Sequence, residues 1–150
     1  MNTTTTKTKI PEIGYEVRKH FLLSKAEIVE GARFIGDLNP LHVDNNHPDT
    51  VRLGGLIASG SHITALFSAL LPTDFIAYGP MLGAHMDVKF TAPVLPDTRY
   101  LMRWQVEEKQ WKESLQGTVY SMAGSITNDA GNSIVRAKAA IILYPKQIPS

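Results

Sequence analysis

Between His62 and Leu71 the chain reads HITALFSALL, apolar on every side of a helix except at Thr64 and Ser68. A helix of that kind cannot lie on a wet surface, because each face turned to water would expose large apolar side chains. It predicts a helix through the middle of the protein, and the remaining chain has to wrap it. Ser59-Gly60-Ser61 offers small capping residues at its start, and Pro72 predicts its end.

The wrapping material is strand. Leu82, Ala84, Met86, Val88 and Phe90 alternate with Gly83, His85, Asp87 and Lys89. Pro93 and Pro96-Asp97 break that run, and three more follow near residues 98–107, 114–127 and 133–143. Trp111-Lys112 and Asn128-Asp129-Ala130-Gly131 read as the turns between them. Long neighbouring strands with short connections predict an antiparallel meander, with one face covered by the apolar helix. An earlier strand is expected between Gly14 and Leu23. Ser24-Lys25-Ala26-Glu27 is a capping-box pattern, followed by Ile28, Ala32 and Ile35 at helical spacing and Gly36 as a left-handed stop. Pro40 forbids that helix to continue, so residues 37–42 read as an irregular loop. The fold class is α+β: an antiparallel sheet wrapped around one long helix. The sheet's open edges suit pairing with a second copy.

With 150 residues, 43% apolar and 19% charged, the chain suits one globular domain. We place that domain at residues 10–150 and read residues 1–9, which are mostly Thr and Lys, as a flexible tail. A formal net charge of +1 with scattered lysines and arginines argues against a nucleic-acid partner. The absence of cysteine removes disulfides, thiolate metal sites and a cysteine nucleophile. Neither a secretory leader nor a membrane span is legible, so the expected location is the cytoplasm.

Within FIGDLNPLHVD, Asp37, Asn39 and His42 bring a carboxylate, an amide and an imidazole within six residues. Such a pair can exchange protons near neutrality. On these residues alone, acid–base chemistry and a plain turn with a surface histidine are equally supported. His42, Asp44, His47 and Asp49 also form a lesser candidate metal set, weakened by Pro48 and by the lack of cysteine.

GDLNPLH, residues 36–42 with Phe34 before it, resembles the signature of the (R)-specific enoyl-CoA hydratases and MaoC-like acyl dehydratases. GGLIASGSHITALF, residues 54–67, is similar to that family's entry into its central helix. KFTAPVLPDT, residues 89–98, is similar to its strand-then-turn segment. The resemblance implies a hot-dog fold, a dimer as the smallest unit, and a hydro-lyase acting on 2-enoyl or 3-hydroxyacyl thioesters. It makes Asp37 and His42 the catalytic pair on one water and Gly60 N–H the donor to the thioester oxygen. Asn39 becomes a shaper of the loop and Ser68 a neighbour of the site. No cofactor is implied, coenzyme A or an acyl carrier being part of the substrate. His62 is expected to be structural, while His85, Asp87 and Lys89 share a strand face that is either solvated or turned to pantetheine or a partner subunit.

The chain departs from the pattern at Pro48, where the family has a small residue, and at Ser59, where many hydratases carry histidine. These departures bear on the substrate. A thioesterase of the same fold is the nearest rival, although thioesterases do not need the paired histidine. A non-catalytic acyl-binding subunit is the other, and such subunits tend to lose the pair. An acyl-sized tunnel beside the start of the central helix is expected.

Overall fold

The computed structural model describes residues 9–147, so the tail expected over residues 1–9 lies, but for Lys9, outside the described residues. The chain runs through β1 (Glu16–Leu22), α1 (Lys25–Ile35), α2 (Pro40–Val43), α3 (Pro48–Arg52), α4 (Gly60–Phe75), β2 (Met81–Phe90), β3 (Arg99–Lys112), β4 (Gly117–Asn128) and β5 (Ser133–Leu143). One five-stranded antiparallel sheet has the order β1-β3-β4-β5-β2, with α4 packed against it. This is the α+β hot-dog arrangement that the resemblance implies. No helix among the described residues is long and apolar enough to cross a membrane.

The core forms where α4 meets the sheet. Ile63, Phe67, Leu70, Leu71 and Phe75 of α4 are buried against Tyr100, Met102, Trp104 and Val106 of β3 and Tyr120 and Met122 of β4. Phe67 stacks on Trp104 with ring centroids 4.2 Å apart, and the Trp104 indole N–H donates to the Phe67 carbonyl at 2.9 Å.

Several expectations need correction. The central helix runs past Pro72 to Phe75, because proline removes only one N–H bond and the apolar face of that last turn still has a core to fill. It is also not buried on every side: Ala65, Ala69 and Pro72 lie exposed along one flank of the single chain. Residues 37–42 are not wholly irregular, since Pro40 opens the one-turn helix α2 with Asn39 as its cap. Proline blocks a helix interior but suits a first turn, where its missing N–H has no partner to lose. Pro48 opens α3 for the same reason.

The turn expected at Trp111-Lys112 falls later, at Glu113–Leu115 with Gln116 left-handed (φ 51°), and Trp111 still pairs with Thr118. The meander holds for β3, β4 and β5 only. β2 crosses to the far edge and pairs with β5, a choice of partner that local alternation does not encode. Its own alternation is interrupted by a bulge between Gly83 and His85, which leaves Ala84 unpaired. Met81 and, beyond the bulge, Met86 and Val88 therefore pack on the core, while Leu82 is exposed.

Candidate active site

The site is assembled from three short stretches, each fixed by its backbone. Ser24 and Glu27 form the capping box that starts α1. α1 ends at Gly36 in the left-handed region (φ 80°), with Gly36 N–H on the Arg33 carbonyl and Asp37 N–H on the Ala32 carbonyl. That pair of bonds is a Schellman stop, and it aims the residue immediately beyond it. Asp37 is that residue.

α2 carries the imidazole. The Asn39 side-chain oxygen accepts Leu41 N–H at 3.2 Å and caps the turn, while Asn39 N–H donates to Asp37 Oδ1 at 3.3 Å. The buried Thr50 hydroxyl of α3 donates to the Pro40 carbonyl at 3.0 Å. Ile57 N–H donates to the Leu41 carbonyl at 3.1 Å, holding α2 from the other side. His42, itself buried, has its Nδ1 2.8 Å from the Ile57 carbonyl. A carbonyl only accepts, so Nδ1 bears the hydrogen, and in the neutral ring Nε2 carries the lone pair.

Nε2 points at Asp37, whose Oδ2 lies 3.6 Å away. That gap is too long for a direct hydrogen bond, yet two acceptors so spaced can each lie about 2.8 Å from one shared water. Oδ2 also receives the hydroxyl hydrogen of Ser59 at 2.6 Å. The Ser59 bond has the largest influence on the Asp37 carboxyl and holds it below the usual carboxylate range. Partial burial works against it, and Asn39 N–H and the His42 charge add to it. The candidate base is therefore ionised at neutral pH. Ser59 caps α4, and Gly60 is that helix's first residue, so its N–H precedes any helical acceptor.

The structure thus brings Asp37, His42 and the start of α4 together, with Asn39 occupied in shaping the loop. It does not bring Ser68 to them. Ser68 lies two turns along α4, roughly 12 Å from Gly60, and its hydroxyl donates to the Ala65 carbonyl at 3.2 Å. In the metal set Asp44 accepts Asn46 N–H, His47 accepts Asp49 N–H, and His42 is engaged with Ile57. Among the described residues no group of three or more His, Cys, Asp or Glu is placed to hold a metal ion.

His62 packs over Gly31 of α1, where a Cβ would fall 2.1 Å from its ring. Burial pushes His62 below the usual histidine value, with the Glu27 charge opposing that shift. His85, Asp87 and Lys89 are exposed along β2.

The sequence reading missed the bond from Ser59 to Asp37 and the Ile57 carbonyl that sets the His42 tautomer. Ser59 was legible as a helix cap, but its second partner is 22 residues away in sequence. Four cavities stand out, and none is lined by Asp37 or His42. The largest, about 910 Å³, lies among Tyr78, Trp111 and Tyr144, beyond the opposite end of α4. Another, about 420 Å³, runs between the open flank of α4 and β2 past Ser68, Pro72 and Met86. Among the described residues none of these four cavities forms the expected acyl-sized tunnel at the start of α4.

Solved structures share this fold across most of their length. A MaoC-like dehydratase from Rhodospirillum rubrum has a TM-score of 0.76 at 20% identity, covering 92% of this chain and 96% of its own. An (R)-hydratase from A. caviae involved in PHA biosynthesis also has a TM-score of 0.76, at 22% identity over 89% of this chain and 97% of its own. An R-hydratase from Pseudomonas aeruginosa has a TM-score of 0.74 at 23% identity, covering 93% and 91%. No curated protein matches the sequence. The sequence profile of the MaoC like domain matches residues 6–125, and the chain therefore belongs to the MaoC-like dehydratase family.

Proposed function

We propose that the protein is a hydro-lyase that adds water to a 2-enoyl thioester, or removes it from the (R)-3-hydroxyacyl thioester, with Asp37 and His42 as the acid–base pair. The observation that carries this reading is the convergence of Asp37 Oδ2 and His42 Nε2 at 3.6 Å, with the other imidazole nitrogen tied to the Ile57 carbonyl. Two acceptors facing one space hold a water by its two hydrogens, which leaves the oxygen lone pairs turned toward the substrate. Attack on the β-carbon then moves the π electrons toward the thioester carbonyl. One water hydrogen passes to the Asp37–His42 pair as the C–O bond forms. A proton from the pair reaches the α-carbon, so that hydroxyl and hydrogen are both delivered and both residues return to their starting state. The N–H groups at the start of α4, Gly60 first, are the donors that this charge movement requires.

The acyl group is bound as a thioester of coenzyme A or of an acyl carrier. A second copy of the chain is the wall that the open site lacks. Supporting this, Phe34 (92% exposed), Leu38, Val51 and Leu53 lie exposed on the elements that bear the site, and the flank of α4 beside β2 is uncovered.

The test is loss of conjugated absorbance from crotonyl-CoA and longer enoyl-CoAs. Asp37→Asn and His42→Ala should each lower the rate by roughly 10²–10⁴-fold while the far-UV spectrum stays native. Wild-type rates in both variants refute the assignment. Release of free thiol in place of hydration makes the protein a thioesterase.

A further inference from the structure

The segment entering α4 holds both members of the pair at once. Ile57 offers its carbonyl to His42 Nδ1, and two residues later Ser59 offers its hydroxyl to Asp37 Oδ2. Between them Ala58 N–H is fixed on the Val94 carbonyl at 2.9 Å, so the stretch is anchored to the body of the protein. Ser59 is fully buried.

Its geometry is not that of a plain helix cap. In α1 the capping Ser24 hydroxyl lies 3.1 Å from the N–H three residues on, whereas the Ser59 hydroxyl lies 3.5 Å from His62 N–H and 2.6 Å from Asp37. The oxygen is drawn off its cap toward the carboxylate. A hydroxyl has one hydrogen to give, and here it goes to Asp37.

We propose that Ser59 is a positioning residue for Asp37, fixing the carboxylate oxygen that faces His42 against the first turn of α4. The inference rests on Asp37 and His42 being the acid–base pair. Losing the bond frees the Asp37 side chain to rotate away from Nε2, and one stabilising contact on its ionised form disappears. Among the described residues His42 is the titratable group that acts on Asp37, so a change in the acid limb of the pH profile after substitution at Ser59 reports on the Ser59 contact.

The experiment compares Ser59→Ala, Ser59→Gly and Ser59→Thr in hydration of crotonyl-CoA between about pH 2.5 and 8, with Asp37→Asn alongside. Glycine caps a helix nearly as well as serine but has no hydroxyl, so it separates capping from carboxylate contact. Ser59→Ala and Ser59→Gly should both lower kcat by about tenfold to a hundredfold with KM within about twofold of wild type. Their acid limb should move to higher pH, and Ser59→Thr should restore both. If Ser59→Gly has the wild-type kcat and acid limb, or if only KM changes, the proposal is overturned while a dead Asp37→Asn leaves the acid–base reading standing. If Asp37→Asn is itself fully active, that reading fails and takes the positioning role with it. Should Ser59→Ala not fold, the glycine variant alone decides.

Discussion

Gly124 on β4 stands directly opposite Trp104 on β3, and the indole lies across it beneath the Phe67 ring of α4. A Cβ added at Gly124 would sit 2.5 and 2.6 Å from two Trp104 ring carbons and 2.7 Å from Phe67 Cζ. Both rings are fully buried, so neither can swing into solvent to make room. Gly124→Ala therefore overpacks the core, which costs about 1–3 kcal/mol. A turn of the indole large enough to relieve the clash also strains its bond to the Phe67 carbonyl, and stranding that donor costs a further ~1–3 kcal/mol. Alanine returns only about 0.5–1 kcal/mol through its lower backbone entropy in a strand. The net loss is then ~1–5 kcal/mol, or roughly 2–20 °C in Tm at ~2–4 °C per kcal/mol for a domain of this size. Scanning calorimetry at fixed protein concentration measures it. Phe67→Leu, which removes one of the clashing rings, should be less than additive with Gly124→Ala in a double-mutant cycle. A Tm for Gly124→Ala within about 1 °C of wild type refutes the close-approach argument.

Two further predictions concern Gly36 and Asp37 at the end of α1. Gly36→Ala meets no neighbour within 4 Å, so its effect comes from the left-handed backbone (φ 80°) alone; urea unfolding should show a loss of about 1–2 kcal/mol, smaller for Gly36→Asn. The Asp37 carboxyl is held low, chiefly by Ser59, so it stabilises the fold above the ordinary aspartate value of about 3.9. That contribution is lost as pH falls through the lower folded value. Urea titrations from about pH 6 to 2 should therefore show wild type losing stability relative to Asp37→Asn toward acid, and a pH-independent difference contradicts the shift.

The legible parts of this protein are those in which neighbours in sequence do the work. The capping box at Ser24 and Glu27, the Gly36 stop and the run from Ile63 to Leu71 each depend on residues within a few positions. Each could be read directly. Proline was misread at Pro40 and Pro72, because the same ring opens a helix at its first turn and interrupts one in its interior. Position within the helix, not residue type, decides between these outcomes.

The sequence by itself determined the helix that must be covered, the strands that cover it, and the motif that puts Asp37 and His42 within six residues. Only the tertiary structure decided that β2 joins the far edge of the sheet, that the Ile57 carbonyl sets the imidazole tautomer, and that Ser59 reaches Asp37. Propensity and periodicity act over a few residues, whereas these contacts join positions 15 to about 60 apart along the chain. Their partners are chosen when the sheet closes on α4, by burial that excludes water and leaves each polar group to find the one acceptor or donor within reach.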